Sequence, residues 1–578
     1  MSKLNIDQKT VLALFSAKDA LFLIPDYQRP YAWGEQECQT LWDDIFSFAL
    51  PDNNCNAFDS SSEYFLGPIV TFQSQGQKEI IDGQQRLTTL LLLLRAFYAC
   101  FGNMNDDAAK ATRKSIESCI WKTNEFDAAD KDSLKIESEV ATDNDREEFM
   151  AILKTGEVSD KSKSRYAHNY RFFLKQIAKF KDEFPMYYSY LPIRIMKNCI
   201  LLPIEAESQD TALRIFSTLN DRGMPLSDSD IFKAQFYKFY SHQGKKDEFI
   251  HQWKELEEKV NKIFHPVSGN AMDDLFTRYM YYIRARQGNK NSTTEALRKF
   301  YEKDSYSLLK QEQTFLDMIE LADFWNDVSN QDEERFSSRI LRRFYVLNYA
   351  PNSMWIYFVS VYFMSYRDKN GQLDEERFYK FLNRITAFIW AYAIVRPGVN
   401  ALRTPVYAEM INLVNKRPVT FEDFKFTPST FKEQMKNYEF TNQRPITKAM
   451  LTWWAFHKET QKLLKLETVL DIEHIFARAR QMKEKSLNNA ASLEMLGNKV
   501  ILEKRINIRA ADFRFADKKK YYNGYENSKG QRRSGTEIRE LLDISANYSD
   551  FREEDIIKRQ NYMIEEFIEY LDANDLVK

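Results

Sequence analysis

Asp471-Ile472-Glu473-His474, followed by Gly497-Asn498-Lys499-Val500-Ile501-Leu502 and then by Asn507, is the stretch that decides how the C-terminal part of this chain is read. The run up to His474 and the apolar run Lys499 to Glu503 each have strand length, and Asn507 falls where a following helix begins. Neighbouring strand residues face opposite sides. His474, ending the first strand, can therefore face a scissile phosphate while Glu473 turns the other way toward an ion. Asp471 shares the parity of Glu473 and either ligates that ion or orients a ligand. Phosphodiester hydrolysis needs a water deprotonated and charge stabilised, for which one histidine and one divalent ion suffice. The expected set is His474 as base, Glu473, Asn507 and Asp471 around the metal, and Asn498 holding the loop that carries the histidine. Oxygen donors with the imidazole left free point to Mg²⁺ or Mn²⁺.

His474 is one of six histidines, and the other five (His168, His242, His251, His265, His457) lack such company. The whole chain has a formal net charge of −2, so a nucleic-acid surface has to be a local patch. Residues 471–540 carry 16 Lys and Arg against 10 Asp and Glu, and 541–578 carry 4 against 10. The basic excess thus coincides with the candidate site. Within it, Lys518-Lys519-Lys520-Tyr521-Tyr522 offers Lys518 and Lys519 as DNA contacts.

A length of 578 residues exceeds one core, and 44% hydrophobic residues supply several. With only 16 Gly and 15 Pro, the expected class is multidomain and predominantly α. The five cysteines, Cys38, Cys55, Cys100, Cys119 and Cys199, form no C-x-x-C pair, which fits a reducing, cytoplasmic setting without a disulfide framework. The apolar runs Leu87 to Leu94 and Ser353 to Tyr366 are too short for a bilayer, so no membrane partner is expected.

The N-terminal part has two further motifs. Lys78 to Ile81 reads as a strand, Asp82-Gly83 as a turn and Leu87 to Tyr98 as a buried helix. Such a strand-to-helix turn favours an anion, and Arg86 can add a forked pair of donors. Asp82 can hold a metal or the attacking water, and Gln84 or Gln85 can contact phosphate or ribose. Upstream, Ile24-Pro25-Asp26-Tyr27-Gln28-Arg29-Pro30-Tyr31-Ala32-Trp33 is stiffened by its prolines. This loop either lines a pocket with Tyr27, Gln28, Arg29 and Trp33 or is an edge segment anchored by its aromatics. From 103 to 197 a helical insertion is expected. Asn198 to Ile204 then reads as a strand, Thr211 to Leu219 as a helix and Asn220 to Gly223 as a turn. Ser227 and Asp230 resemble a capping box opening a helix. Residues 241–450 read as aromatic-rich helices whose rings pack a core, and 451–578 as the domain of His474.

Together, IPDYQRPYAW, the Gly67 to Val70 segment, IIDGQQRLTTL, IFSTLNDRGMPLSDSDIFKA, DIEHIF, LGNKVIL, Asn507 and the Lys518 to Tyr522 region resemble the GmrSD family of modification-dependent (type IV) restriction enzymes. The resemblance implies an α+β ParB/sulfiredoxin-like domain over 1–240 and a helical linker over 241–450. It implies an HNH-like (ββα-metal) nuclease over 451–578. By it, Asp82, Gly83, Gln84, Gln85, Arg86 and Arg29 would bind and hydrolyse a nucleoside triphosphate, GTP, ATP or another, while Tyr27, Gln28, Arg29 and Trp33 sense DNA. The resemblance implies invading DNA, modified or of phage origin, as the substrate, and is compatible with a homo-oligomer. The chain departs from the family pattern at Ala477, where proline is usual, and at Lys499, where GNL is usual. A DNA sensor with a vestigial nuclease and an RNA-directed toxin are the alternatives.

Overall fold

The computed structural model describes residues 5–578 apart from 7, 75, 103, 127, 141–142, 209–210, 213–214, 216–226, 267–268, 292 and 399. Most of the expected 211–219 helix and the whole 220–223 turn lie outside these residues. The chain divides into two compact units, Met1–Glu255 and Leu256–Lys578. The stretches 256–450 and 451–578 therefore share one unit.

The first unit is built on a mixed sheet. Its strands are β1 (Asn5–Ile6), β2 (Lys9–Thr10), β3 (Phe22–Ile24), β4 (Tyr64–Ser74), β5 (Gln77–Asp82), β8 (Ile136–Ser138) and β9 (Cys199–Ala206), while β6 (Trp121–Thr123) and β7 (Ala129–Leu134) form a separate hairpin. The sheet order is β1-β9-β4-β5-β3-β8, with β2 also on β9. β9 runs parallel to β4, so the chain does return to the first domain after the insertion. That insertion is not wholly helical. It supplies β6, β7 and the sheet's edge strand β8, whose charged surroundings hide any strand alternation.

β5 ends at Asp82 and the helix Gln84–Phe101 starts two residues later. Gly83 between them sits at φ 94°, and a Cβ there would lie 3.1 Å from Ile69 Cγ1. Only glycine meets both demands cheaply. Leu90 to Leu94 of that helix are at most 1% exposed, so the helix is enclosed on all sides rather than amphipathic. Later in the unit, Ser227 Oγ accepts from Asp230 N at 3.2 Å and Asp230 Oδ2 accepts from Ser227 N at 3.0 Å. This capping box opens the helix Asp228–His242.

The second unit is chiefly helical, with Ala271–Arg286, Met354–Tyr366, Glu375–Val395, Arg403–Val414 and Pro445–Phe456 among its helices. Its rings are core: Phe324 stacks on Phe363 at 4.4 Å and Phe388 on Phe421 at 3.6 Å. β10 (Leu470–His474) and β11 (Lys499–Glu503) form an antiparallel pair, the helix Lys504–Ala510 follows, and Glu553–Asp572 closes the unit. No helix among the described residues is long and apolar enough to cross a membrane.

Candidate functional site

His474 ends β10 opposite Lys499 on β11. The strand alternation sends its imidazole and the Glu473 carboxylate to different surroundings. His474 Nε2 lies 3.6 Å from Glu494 Oε1 and has no hydrogen-bond partner among the described residues, although it is buried. Glu494 is itself held by Lys499 Nζ at 2.6 Å and Arg478 Nη2 at 2.7 Å. Burial, together with the Lys499 and Arg478 cations, pushes the imidazole down to about 3. It is therefore neutral at neutral pH, free to accept a proton but weakly basic until an anion joins it.

Glu473 faces the opposite way and is enclosed. Its Oε1 accepts from Lys518 Nζ at 2.7 Å and from the Tyr522 hydroxyl at 2.5 Å. Lys518 also donates to the His474 carbonyl at 2.7 Å. Burial raises the Glu473 carboxyl above the usual range, with Lys518 opposing it. Lys518, read from sequence as a DNA contact, is only 1% exposed, so it cannot serve a surface and instead neutralises Glu473. Lys519 is half-buried and donates to the Tyr548 carbonyl at 2.9 Å.

The expected metal ligands were Glu473, Asn507 and Asp471. Asp471 and Asn507 are half-buried, on β10 and on the helix Lys504–Ala510. The buried carboxylate of the set already carries an ammonium, and among the described residues no group of three His, Cys, Asp or Glu could hold an ion. In this arrangement a cation at Glu473 would have to displace the Lys518 ammonium.

The loop after His474 is fixed by Asn498. Its Oδ1 accepts from Phe476 N at 2.7 Å, and its Nδ2 donates to the carbonyls of Phe476 at 3.1 Å and Leu493 at 3.0 Å. Gly497 beside it is needed because the helix Glu553–Asp572 crosses there: a Cβ would fall 2.0 Å from the Ile556 carbonyl oxygen. Gly497 N donates to Gln560 Oε1 at 2.8 Å, and Arg559 Nη1 donates to the Leu496, Gly497 and Lys499 carbonyls at 2.9, 3.0 and 2.8 Å. Glu494, Arg559 and Gln560 were missed from sequence: the Arg559 and Gln560 contacts span 62 and 63 residues, and Glu494 sits in the stretch between the two strands, where no periodicity marks it.

Both departures from the family pattern have local consequences. Ala477 sits at φ −68°, which proline's ring would also impose, so the backbone course is unchanged. Lys499 is fully buried beside the imidazole, and after burial it is the largest depressor of His474 basicity.

In the first unit the two N-terminal motifs meet. Gln84 Nε2 donates to the Arg29 carbonyl at 3.1 Å and Gln85 Nε2 to the Pro30 carbonyl at 3.2 Å, while Gln85 Oε1 accepts from Ala32 N at 2.6 Å and Trp33 N at 3.3 Å. Gln28 Nε2 donates to the Ile81 carbonyl at 3.2 Å. The amides thus bind the loop to the box. Tyr27 is buried against Tyr237 at 4.9 Å, and Trp33 is half-buried. Arg86 Nη1 donates to the Pro68 carbonyl at 2.9 Å, and its guanidinium lies over Gly67, where a Cβ would come within 2.9 Å of Cζ. Burial raises the Asp82 carboxyl, opposed by Arg86, the Gly83 N–H and Arg29. Asp82, Arg86 and Arg29 are therefore the charged groups gathered at this turn.

Two family models match the chain: the GmrSD restriction endonuclease N-terminal domain over residues 11–237, and the GmrSD restriction endonucleases C-terminal domain over 427–566. A comparison with curated proteins finds no match. The first span contains the loop and the Asp82 to Arg86 turn, and the second contains β10, β11 and Lys518, so the chain belongs to the GmrSD restriction endonuclease family.

Proposed function

We propose that this restriction endonuclease, whose substrate is DNA, cuts at the β10–β11 site with His474 as the general base. The observation that carries the reading is a buried, neutral imidazole whose Nε2 has no hydrogen-bond partner among the described residues, inside the span matched by the GmrSD C-terminal domain. An approaching phosphate adds negative charge near the imidazole, raising its basicity where the chemistry needs it. Asn498 fixes the loop, and Lys518 with Tyr522 holds Glu473.

In this proposal the fold around His474 is HNH-like, the first domain is ParB/sulfiredoxin-like, and Asp82, Arg86 and Arg29 receive a nucleoside triphosphate whose turnover licenses cutting of modified phage DNA. The reading includes a Mg²⁺ or Mn²⁺ requirement, with Glu473, Asn507 and Asp471 as the residues that would hold the ion. Cleavage of modified and unmodified plasmids, each with Mg²⁺, Mn²⁺ or EDTA and with or without GTP or ATP, tests the whole reading. Cutting that needs His474 supports it; intact plasmids under every condition contradict it.

A second reading has its own support. The ammonium on Glu473 and the depressed basicity of His474 also suit a DNA sensor whose nuclease half is silent. It predicts DNA binding with no cutting in the same experiment.

A further inference from the structure

Between the two matched spans, the helices Met354–Tyr366, Glu375–Val395 and Arg403–Val414, with the loop after the last, frame an open cavity of about 670 Å³. Five cations line it, Arg377, Lys380, Arg384, Lys416 and Arg417, and no carboxylate does. In a chain of net charge −2 such a patch is not a share of a general positive field. Arg384 is a fixed member, donating to the Asn574 carbonyl at 3.0 Å and paired with Asp575. Lys416 lies 4.2 Å over the Tyr366 ring, and Tyr366 stacks on Tyr362 at 4.7 Å. Arg377, Lys380 and Arg417 are exposed, and among the described residues none of the three has a carboxylate within ion-pair distance.

We infer that this groove binds the phosphate backbone of DNA and holds the duplex while the β10–β11 site acts on it; the inference rests on the reading of the chain as a DNA endonuclease. Exposed cations such as Arg377, Lys380 and Arg417, on a concave surface not lined by acids, are what phosphate neutralisation with counterion release requires, and they carry no base preference. The groove is mechanically tied to the nuclease strands. The Tyr570 hydroxyl donates to Asn383 Oδ1 at 2.9 Å, between Lys380 and Arg384, and Gln560 of the same helix holds Gly497. Ten helical residues at 1.5 Å, on the order of 15 Å, separate those two anchors, so a single helix braces both the groove and the β10–β11 strands.

The test is anisotropy of a 30-base-pair duplex with full-length protein in a His474→Ala background, which stops cleavage but leaves the groove intact. Arg377→Ala/Lys380→Ala/Arg417→Ala should weaken binding at least tenfold at about 0.1 M salt and reduce the slope of log affinity against log salt by about 2 to 3, equally for all sequences. Lys380→Gln alone, a change to one exposed side chain, should reduce that slope by about 0.9. Unchanged affinity and slope in either variant would overturn the inference. So would loss of free GTP or ATP binding with DNA binding intact, which would make the groove a nucleotide site. Failure of plasmid cleavage by the otherwise native protein, with groove-dependent binding retained, would instead remove the endonuclease reading alone.

Discussion

His474 shows how a single side chain is tuned by what faces it. Its folded value near 3 lies below the ordinary imidazole value of about 6.5. As pH falls from about 6.5 toward 3, the unfolded chain takes a proton that the folded site refuses, and stability declines. His474→Ala removes that group but keeps Glu473, whose raised carboxyl acts in the opposite sense. The thermal midpoint of His474→Ala should therefore fall less than that of the native protein between pH 7.5 and 5.5; equal falls would contradict the assigned environment. Lys518→Met leaves a buried carboxylate without its cation and should cost about 3–5 kcal/mol in urea unfolding. Adding Glu473→Gln should recover part of that loss, because the two effects are coupled. Simple additivity would show that the pair does not exist. Asn498→Ala orphans the Phe476 N–H and two carbonyls, and should cost roughly 1–3 kcal/mol per buried group left unsatisfied.

At the scale of elements, the β10–β11 pair and its capping helix form one device. Gly497→Ala places a methyl on the Ile556 carbonyl and must push the helix Glu553–Asp572 away, so circular-dichroism melts should show a loss of several °C together with loss of DNA cutting. An unshifted melt would mean the crossing is loose. The strand-turn-helix at Asp82 and the two strands around His474 were legible in sequence, because period, turn residues and the Gly-Asn pair are local signals. The hairpin β6–β7 and the edge strand β8 were not: Ala129-Asp130-Lys131-Asp132-Ser133-Leu134 has no apolar alternation, and its pairing is decided by neighbours distant in the chain. The roles of Lys518 and of the box glutamines were hidden for the same reason. A buried lysine and a surface lysine look alike in sequence, and an amide's hydrogen-bond partners are named only by the fold.

On the scale of the whole molecule, charge and family membership divide the work. The turn that gathers Asp82, Arg86 and Arg29 belongs to the first unit, and His474 belongs to the second. Arg86→Ala should lower nucleotide turnover at least tenfold in a phosphate-release assay, whereas His474→Ala should leave turnover at the native level. Turnover that survives Arg86→Ala would move the nucleotide site elsewhere. The measurement that reaches the central claim most directly is cutting of permissive plasmid DNA by purified His474→Ala beside the native chain, with folding of both verified by their melts. The native chain should convert supercoiled plasmid to nicked or linear product and His474→Ala should leave it supercoiled; equal cutting by both would show that another group removes the proton.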